Sequence, residues 1–224
     1  MPRINAEYHS DAKRKIITAT LDIARESGWN AVTLEAVARR VGVTKAALYT
    51  YFENSSSLNE EATFELIRKL WGRILADTEK ENVGIRESVE HIAEILFTRV
   101  DPIAPLFLQA LSAIIRNKQF REQVYRQYDE VLLTLSEKLL QRQRSGEISP
   151  KVDVYGSLRA INGLTLGLAF IYILSEEDPQ EARVIWIDSV GRILQLQHYS
   201  SDEYGSRNNT LSPKGVTKNG LRLL

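Results

Sequence analysis

The chain of 224 residues contains no cysteine and only three histidines, His9, His91 and His198, which lie far apart. Without cysteine there are no disulfide bonds, thiolate metal sites or cysteine nucleophiles. The histidine spacing matches no metal-binding motif, and the sequence has neither a phosphate-binding glycine loop nor a nucleophile–base cluster. We therefore expect no metal ion, no cofactor and no enzymatic activity.

Long hydrophobic runs are also missing. The amino-terminal segment MPRINAEYHSDAKRK lacks the apolar region of a secretion signal. The longest apolar stretch, residues 161–174, is interrupted by Asn162, Thr165 and two glycines, and it is too short to span a bilayer. We expect this stretch to form a buried helix and the protein to be cytoplasmic.

The net charge is zero, with 29 basic and 29 acidic residues, but the charges are unevenly distributed. Basic residues are in excess over residues 1–55 and over residues 199–224, so the middle of the chain is acidic. A basic amino-terminal module on an acidic body is typical of a protein whose amino-terminal face meets phosphates. Chance variation over short windows would give the same pattern, so charge alone does not decide between the two interpretations.

Helical periodicity covers almost the whole chain, and no pair of strands is indicated. After a loose basic arm over residues 1–11, apolar spacing predicts about nine helices, separated by breaks such as Gly28 and Gly42. We therefore predict an all-α fold with a three-helix amino-terminal domain over residues 1–55. A larger helical domain follows over residues 56–199. The polar tail over residues 200–224 is expected to be disordered.

The most informative segment is TLEAVARRVGVTKAALYTYF, residues 33–52, which predicts two short helices joined by a tight turn. Leu34 and Val41 lie on one apolar face of the first helix. Gly42 supplies the left-handed conformation of the turn, and Thr44 caps the second helix. The second helix presents small, basic and hydroxyl-bearing side chains outward, as a helix-turn-helix does to the major groove of DNA.

Over residues 12–60 the sequence resembles the TetR family of bacterial transcriptional repressors. The resemblance is carried, in order, by an Ile-rich first helix ending in Gly28, Thr33-Leu34-x-x-Val37-Ala38, Val41-Gly42-Val43-Thr44-Lys45 and Leu48-Tyr49-x-Tyr51-Phe52. The last motif is the most specific, because helix-turn-helix proteins of other kinds lack it. The resemblance implies a long linking helix and a helical regulatory domain for ligand binding and dimerisation. It also implies a homodimer that releases a near-palindromic operator when a small molecule binds.

The candidate DNA contacts follow from this resemblance and from the outward positions of the second short helix. Capping alone would explain the threonines at the helix starts, and Lys45 could contact a base edge or only a phosphate. One of the two tyrosines could simply be packed. Because the family commonly has a lysine at the position of Ser55, we expect a weaker backbone contact there. The candidates are Thr33, Thr44, Lys45, Ala46, Tyr49, Thr50, Tyr51 and Ser55.

A second set of candidates concerns a hydrophobic or aromatic effector in the larger domain. Aromatic residues punctuate its helices, and most of them must be core, since a helical bundle needs such bulk. A subset lining an apolar cavity would suit a small-molecule effector. For Asn162 a satisfied buried amide is the alternative interpretation. The candidates are Trp71, Phe97, Phe107, Leu111, Tyr125, Tyr128, Asn162, Leu166 and Phe170.

The last two predicted helices indicate a dimer. Gly163 and Gly167 allow close helix approach, either within the bundle or at a dimer seam. The final helix carries more apolar surface than one core contact requires, including Ile185 and Ile193. Such a patch predicts a partner, most simply a second copy.

The sequence therefore favours a ligand-responsive repressor that binds operator DNA as a homodimer. A helical protein-interaction module without sequence-specific DNA binding is the alternative. The outward Lys45, Tyr49 and Tyr51 speak against it, because a module that only packs does not need them.

Overall fold

The computed structural model of the protein describes residues 2–80, 83–97, 103–175 and 178–196. Within these residues the fold is all-α, as predicted, and contains no strand. The predicted tail over residues 200–224 and His198 lie outside the described residues. The helices are α1 (Pro2–Ser27), a short 3₁₀ turn (Trp29–Ala31), α2 (Leu34–Val41), α3 (Lys45–Leu48), α4 (Ser55–Thr78), α5 (Ile85–Leu96), α6 (Ile103–Arg116), α7 (Lys118–Arg144), α8 (Val154–Ser175) and α9 (Pro179–Ile193).

The expectation of a loose arm over residues 1–11 is wrong. Helix α1 begins at Pro2 and continues without a break to Ser27. Proline is well tolerated in the first helical turn, and no glycine follows until Gly28, so nothing in the sequence stops the helix earlier. Near this end the ring of His9 lies 4.4 Å from the ring of Tyr51.

Helices α1 to α4 enclose the first hydrophobic core. Leu21, Val37, Leu48, Phe52 and Leu58 are almost completely buried in it. These residues come from α1, α2, α3, the segment after α3, and α4. The short helices α2 and α3 are therefore held in place by packing against the long helices α1 and α4. The predicted boundary at residue 55 coincides with the start of α4, although α4 contributes to both domains.

The second hydrophobic core lies among α5, α8 and α9. Its most buried members include Ala93, Phe97, Ile148, Trp186 and Val190. Ile148 lies in the turn between α7 and α8, where Gly146 has a φ of 86°. A cavity separates this core from helices α4 and α7.

Helix α8 is not the buried helix that the sequence predicted. Its 22 residues are long and apolar enough to cross a membrane by length and composition alone. The interface helix of a globular dimer meets the same criterion, so this observation by itself does not indicate a membrane. One side of α8 packs on α7 and α9, whereas Phe170, Ile171 and Leu174 on the opposite side are exposed.

Candidate DNA-binding surface and ligand cavity

The local geometry of the two short helices follows from their caps. The Thr33 hydroxyl oxygen accepts a hydrogen bond from the Ala36 amide at 3.1 Å, and that of Thr44 accepts one from the Ala47 amide at 3.2 Å. Between them Gly42 has φ 79° and ψ 31°, the left-handed conformation that favours glycine. The sequence therefore determines where both helices begin and how the chain turns between them.

The predicted DNA contacts are mostly exposed, with two exceptions. Thr33, Thr44, Lys45, Ala46, Tyr49 and Thr50 are exposed to solvent, and the side chain of Tyr49 is 51% exposed. Tyr51 is half-buried, because its ring packs on the first core and contacts His9. Ser55 is also half-buried, as the first residue of α4 directly after the Asn54 cap. Tyr51 therefore exposes less of its side chain than Tyr49 does.

An acidic side chain lies beside the predicted recognition residue. The Nζ of Lys45 forms an ion pair with Glu35 Oε1, and both side chains are largely exposed. The hydrogen bond from Lys45 lowers the pKa of Glu35, and the same bond raises the pKa of Lys45. Lys45 must exchange this carboxylate for any phosphate or base that it binds. Sequence reasoning missed Glu35, because the pair closes only when Gly42 folds α3 back towards α2.

Two further ion pairs hold the amino-terminal domain together. Arg40 Nη2 lies 2.5 Å from Glu26 Oε2, which joins α2 to α1. Lys13 Nζ lies 2.5 Å from Glu61 Oε2 and 5.4 Å from the centre of the Phe52 ring. These basic side chains therefore have intramolecular partners on α1 and α4 in the free protein.

The larger domain encloses a cavity of about 510 Å³ between α4, α5, α7 and α8, with contributions from α6 and α9. This volume is within the usual range for small-molecule sites. Of the nine predicted ligand residues, seven line the cavity: Trp71, Phe97, Phe107, Tyr125, Tyr128, Asn162 and Leu166.

Leu111 and Phe170 do not line the cavity. The Phe170 side chain is 52% exposed on the outer face of α8, and Leu111 is half-buried on α6 away from the wall. Leu111 lies four residues after Phe107 on the same side of α6, and α8 is apolar on nearly all sides, so helical spacing does not show which of these side chains line the cavity.

A few polar groups interrupt the apolar wall. Burial raises the pKa of the Tyr128 hydroxyl, and the nearby Asn162 amide opposes that rise. Trp186 Nε1 donates to Thr165 Oγ1 at 2.7 Å. The charged lining residues are all cations, Arg121, Lys138 and Arg142; among the lining residues that the structure describes there is no carboxylate. The sequence does not single out these cations, because α7 carries many other charged residues and its apolar face accounts for its packing.

Two helices connect the cavity to the amino-terminal domain. Helix α4 carries Leu58 in the first core and Trp71 and Ile74 in the cavity wall. On α6, the Leu106 carbonyl accepts a hydrogen bond from Trp29 Nε1 at 3.0 Å, while the next residue, Phe107, lines the cavity. A molecule in the cavity would therefore press on two elements that hold the helix-turn-helix.

No cluster of three or more histidine or acidic residues that could hold a metal ion occurs in the described ranges. The exposed helix-turn-helix side chains and the cavity are thus the two candidate sites in the described part of the chain.

Comparison with known proteins identifies the amino-terminal domain. Residues 16–62 match the family model described as "Bacterial regulatory proteins, tetR family". A curated relative, the negative transcriptional regulator IcaR of the biofilm operon icaADBC in Staphylococcus aureus, is 24% identical over 127 residues, which cover 57% of this chain and 67% of IcaR.

Solved structures share the fold. GusR from Salmonella enterica superposes with a TM-score of 0.66 at 17% identity, covering 83% of this chain and 96% of GusR. FadR from Bacillus subtilis, solved in complex with stearoyl-CoA, gives a TM-score of 0.61 at 18% identity and covers 79% of this chain and 96% of FadR. The family motif lies on the helices that form the exposed surface around Lys45, and residues 16–62 therefore form an amino-terminal domain of the TetR family of bacterial regulatory proteins.

Proposed function

We propose that the protein is a ligand-responsive repressor that binds a near-palindromic operator as a homodimer and releases it when a small molecule fills the cavity. The observation that carries the proposal is the shared helix α4. It begins at Ser55 beside the recognition helix, and it lines the cavity from Ile67 to Thr78.

DNA recognition is proposed to use the exposed side chains of α3 and the turn that follows it. Lys45 and Tyr49 reach towards bases or phosphates, and Ala46 is small enough to approach a thymine methyl group. The exposed caps Thr33 and Thr44 offer hydroxyl and amide groups to the DNA backbone. Thr50, Tyr51 and Ser55 contribute at the edge of this surface.

The homodimer is proposed to form through the outer face of α8 together with α9. Gly163 and Gly167 are exposed, and a Cβ atom added at either would meet no other atom within 4 Å. The glycines therefore do not serve packing inside this subunit. On the same side Phe170 and Leu174 are 52% and 67% exposed, and such an apolar patch suits a second copy.

Release is proposed to be geometric. Two recognition helices in a dimer must lie about 34–36 Å apart to enter successive major grooves on one face of DNA. A molecule in the cavity moves α4 and, through Leu106, the Trp29 side of the amino-terminal domain. Changing the separation weakens DNA binding, typically with a coupling of about 1–3 kcal/mol. That FadR was solved with stearoyl-CoA supports a small-molecule effector of the same general kind.

This function places the protein in the cytoplasm, where the DNA is. A protein-interaction module is the weaker candidate, because it gives no role to the exposed Lys45 and Tyr49.

A gel-shift titration with the DNA upstream of the protein's own gene tests the proposal. We expect specific binding that weakens as salt is raised, since phosphate contacts release counterions. The double variant Lys45→Ala, Tyr49→Phe should lose this binding while it stays helical and dimeric. Wild-type affinity in that variant would show that another surface binds DNA.

A further inference from the structure

The cavity is elongated along α7. Its lining residues on that helix recur every three or four positions from Arg121 to Arg142. At 1.5 Å per residue these positions extend over about 30 Å. A cavity of about 510 Å³ distributed along such a wall is narrow for its length. It therefore suits a ligand with one extended hydrocarbon chain better than a ligand with a compact ring system.

The two ends of the cavity differ in chemistry. Trp71, Phe107 and Tyr125 line the end near the start of α7, and the rings of Trp71 and Tyr125 each lie 6.2 Å from that of Tyr128. The opposite end is formed by Thr78, Ser88 and Gln141, together with Lys138 and Arg142. An amphiphile would therefore place its polar end near the end of α7.

The charges at this polar end are unequal. Arg142 is already neutralised, because its Nη1 donates to both oxygens of Glu147 at 2.9 and 3.0 Å and its Nη2 donates to the Val83 carbonyl. Lys138 is half-buried and makes no hydrogen bond or ion pair with any residue in the described ranges. A half-buried ammonium group beside an apolar cavity favours an anion next to it.

The third cation is placed differently. Arg121 lies at the aromatic end, is exposed, and donates from Nη1 to the Ile115 carbonyl at 2.9 Å. Water screens a charge in this position, so it contributes less to the binding of an anion than Lys138 does.

We propose that the cavity binds a long-chain carboxylic acid, with the carboxylate paired to Lys138 and the hydrocarbon chain extended along α7 towards Trp71. This inference rests on the proposed effector site and names its ligand class. Because the lining residues that the structure describes include no carboxylate, the same wall does not favour cationic ligands.

Direct binding to the full-length protein tests the ligand class, with intrinsic tryptophan fluorescence or calorimetry as the readout. The probes are palmitate, its uncharged methyl ester, octanoate as a short acid and palmitoyl-coenzyme A as the same chain with a large head. We expect palmitate to bind about tenfold more tightly than the methyl ester, as for one charged hydrogen bond. Octanoate should bind more weakly because it buries less apolar surface.

Two matched variants locate the head group. Lys138→Met keeps an unbranched side chain and should remove the preference for palmitate over its ester while leaving the binding of the ester unchanged. Arg121→Met makes the same change at the other end and should leave the preference intact. Equal affinity for acid and ester, loss of the preference in Arg121→Met instead, or tighter binding of palmitoyl-coenzyme A than of palmitate would each overturn the proposal.

The operator assay separates this inference from the proposed function. If palmitate binds through Lys138 but leaves the DNA complex unchanged, the ligand class stands and ligand-driven release fails. If another compound releases the DNA while palmitate does not bind, release stands and the ligand class is overturned.

Discussion

The amino-terminal domain and the larger domain fill their interiors in opposite ways. In the amino-terminal domain Val37 and Leu48 are 0% exposed and Phe52 is 2% exposed. In the larger domain the core is concentrated among α5, α8 and α9, and the space next to α4 and α7 is a cavity of about 510 Å³. The region proposed to present side chains to DNA is closely packed, whereas the region proposed to bind a small molecule contains a cavity.

The largest expected effect compares Leu48, buried in the first core, with Leu135, half-buried on the cavity wall. Leu48→Ala removes a fully buried side chain from the helix-turn-helix and should lower the free energy of unfolding by about 3 kcal/mol. Leu135→Ala, on the cavity wall, should cost about 1 kcal/mol, because it enlarges a space that is already empty. Urea unfolding followed by circular dichroism measures both. Equal costs would contradict the contrast in packing.

The next comparison concerns exposed residues of the two regions. Lys45→Ala with Tyr49→Phe should lower affinity for the upstream DNA about a hundredfold, since it removes a charged contact and a hydroxyl contact. Lys118→Ala with Tyr125→Phe removes the same two residue types from exposed positions on α7 and should leave affinity unchanged. Fluorescence anisotropy with labelled DNA measures each affinity, and similar losses in the two variants would indicate nonspecific binding.

The proposed dimer face gives a smaller but well-controlled effect. Leu174 on α8 and Leu133 on α7 are 67% and 54% exposed. Leu174→Glu should weaken the dimer at least about tenfold, because it buries an unpaired charge at the interface, and Leu133→Glu should not. Light scattering over a dilution series measures the dissociation. If Leu133→Glu produced monomers and Leu174→Glu did not, the dimer interface would lie on α7 instead of α8.

The smallest expected effect concerns Glu147, in the turn between α7 and α8. Partial burial of Glu147 opposes its ionisation, but hydrogen bonds from Arg142, the Ile85 amide and Ser145 outweigh burial and lower the pKa of the carboxyl. Its folded-state pKa is thus below the unfolded value. The stability it contributes is present above the unfolded pKa and is lost as pH falls through the folded pKa.

Glu147→Gln should therefore lower the free energy of unfolding by about 1 kcal/mol at neutral pH and by less in acid. Chemical unfolding at several pH values checks this. A cost that does not diminish with falling pH would show that the glutamate acts only through its shape.

The sequence predicts the amino-terminal domain better than the larger one, because the signals there are local. The caps at Thr33 and Thr44 and the turn at Gly42 lie within a few residues of the structure they determine, and α2 and α3 begin as predicted. The loose arm was wrong because a single proline in the first turn does not prevent a helix.

The larger domain shows what local patterns leave open. Helix α6 spans Ile103–Arg116, and Phe107 and Leu111 lie four residues apart on the same side of it. Helical spacing therefore does not reveal that Phe107 lines the cavity and Leu111 does not. The contact from Trp29 to Leu106 joins residues 77 positions apart. Which of the described residues pair with the cations of the cavity wall likewise depends on the groups that the fold brings near them. These features arise from tertiary packing.

The measurement that tests the coupling between the two regions most directly is the affinity for upstream DNA with and without palmitate, in the wild type and in Leu166→Trp. The tryptophan fills part of the cavity wall, so palmitate should be excluded from the variant. We expect palmitate to weaken DNA binding about tenfold in the wild type and not in Leu166→Trp, within the usual range of such couplings. Binding of palmitate to the wild type, measured by intrinsic tryptophan fluorescence, with no change in DNA affinity would contradict the account.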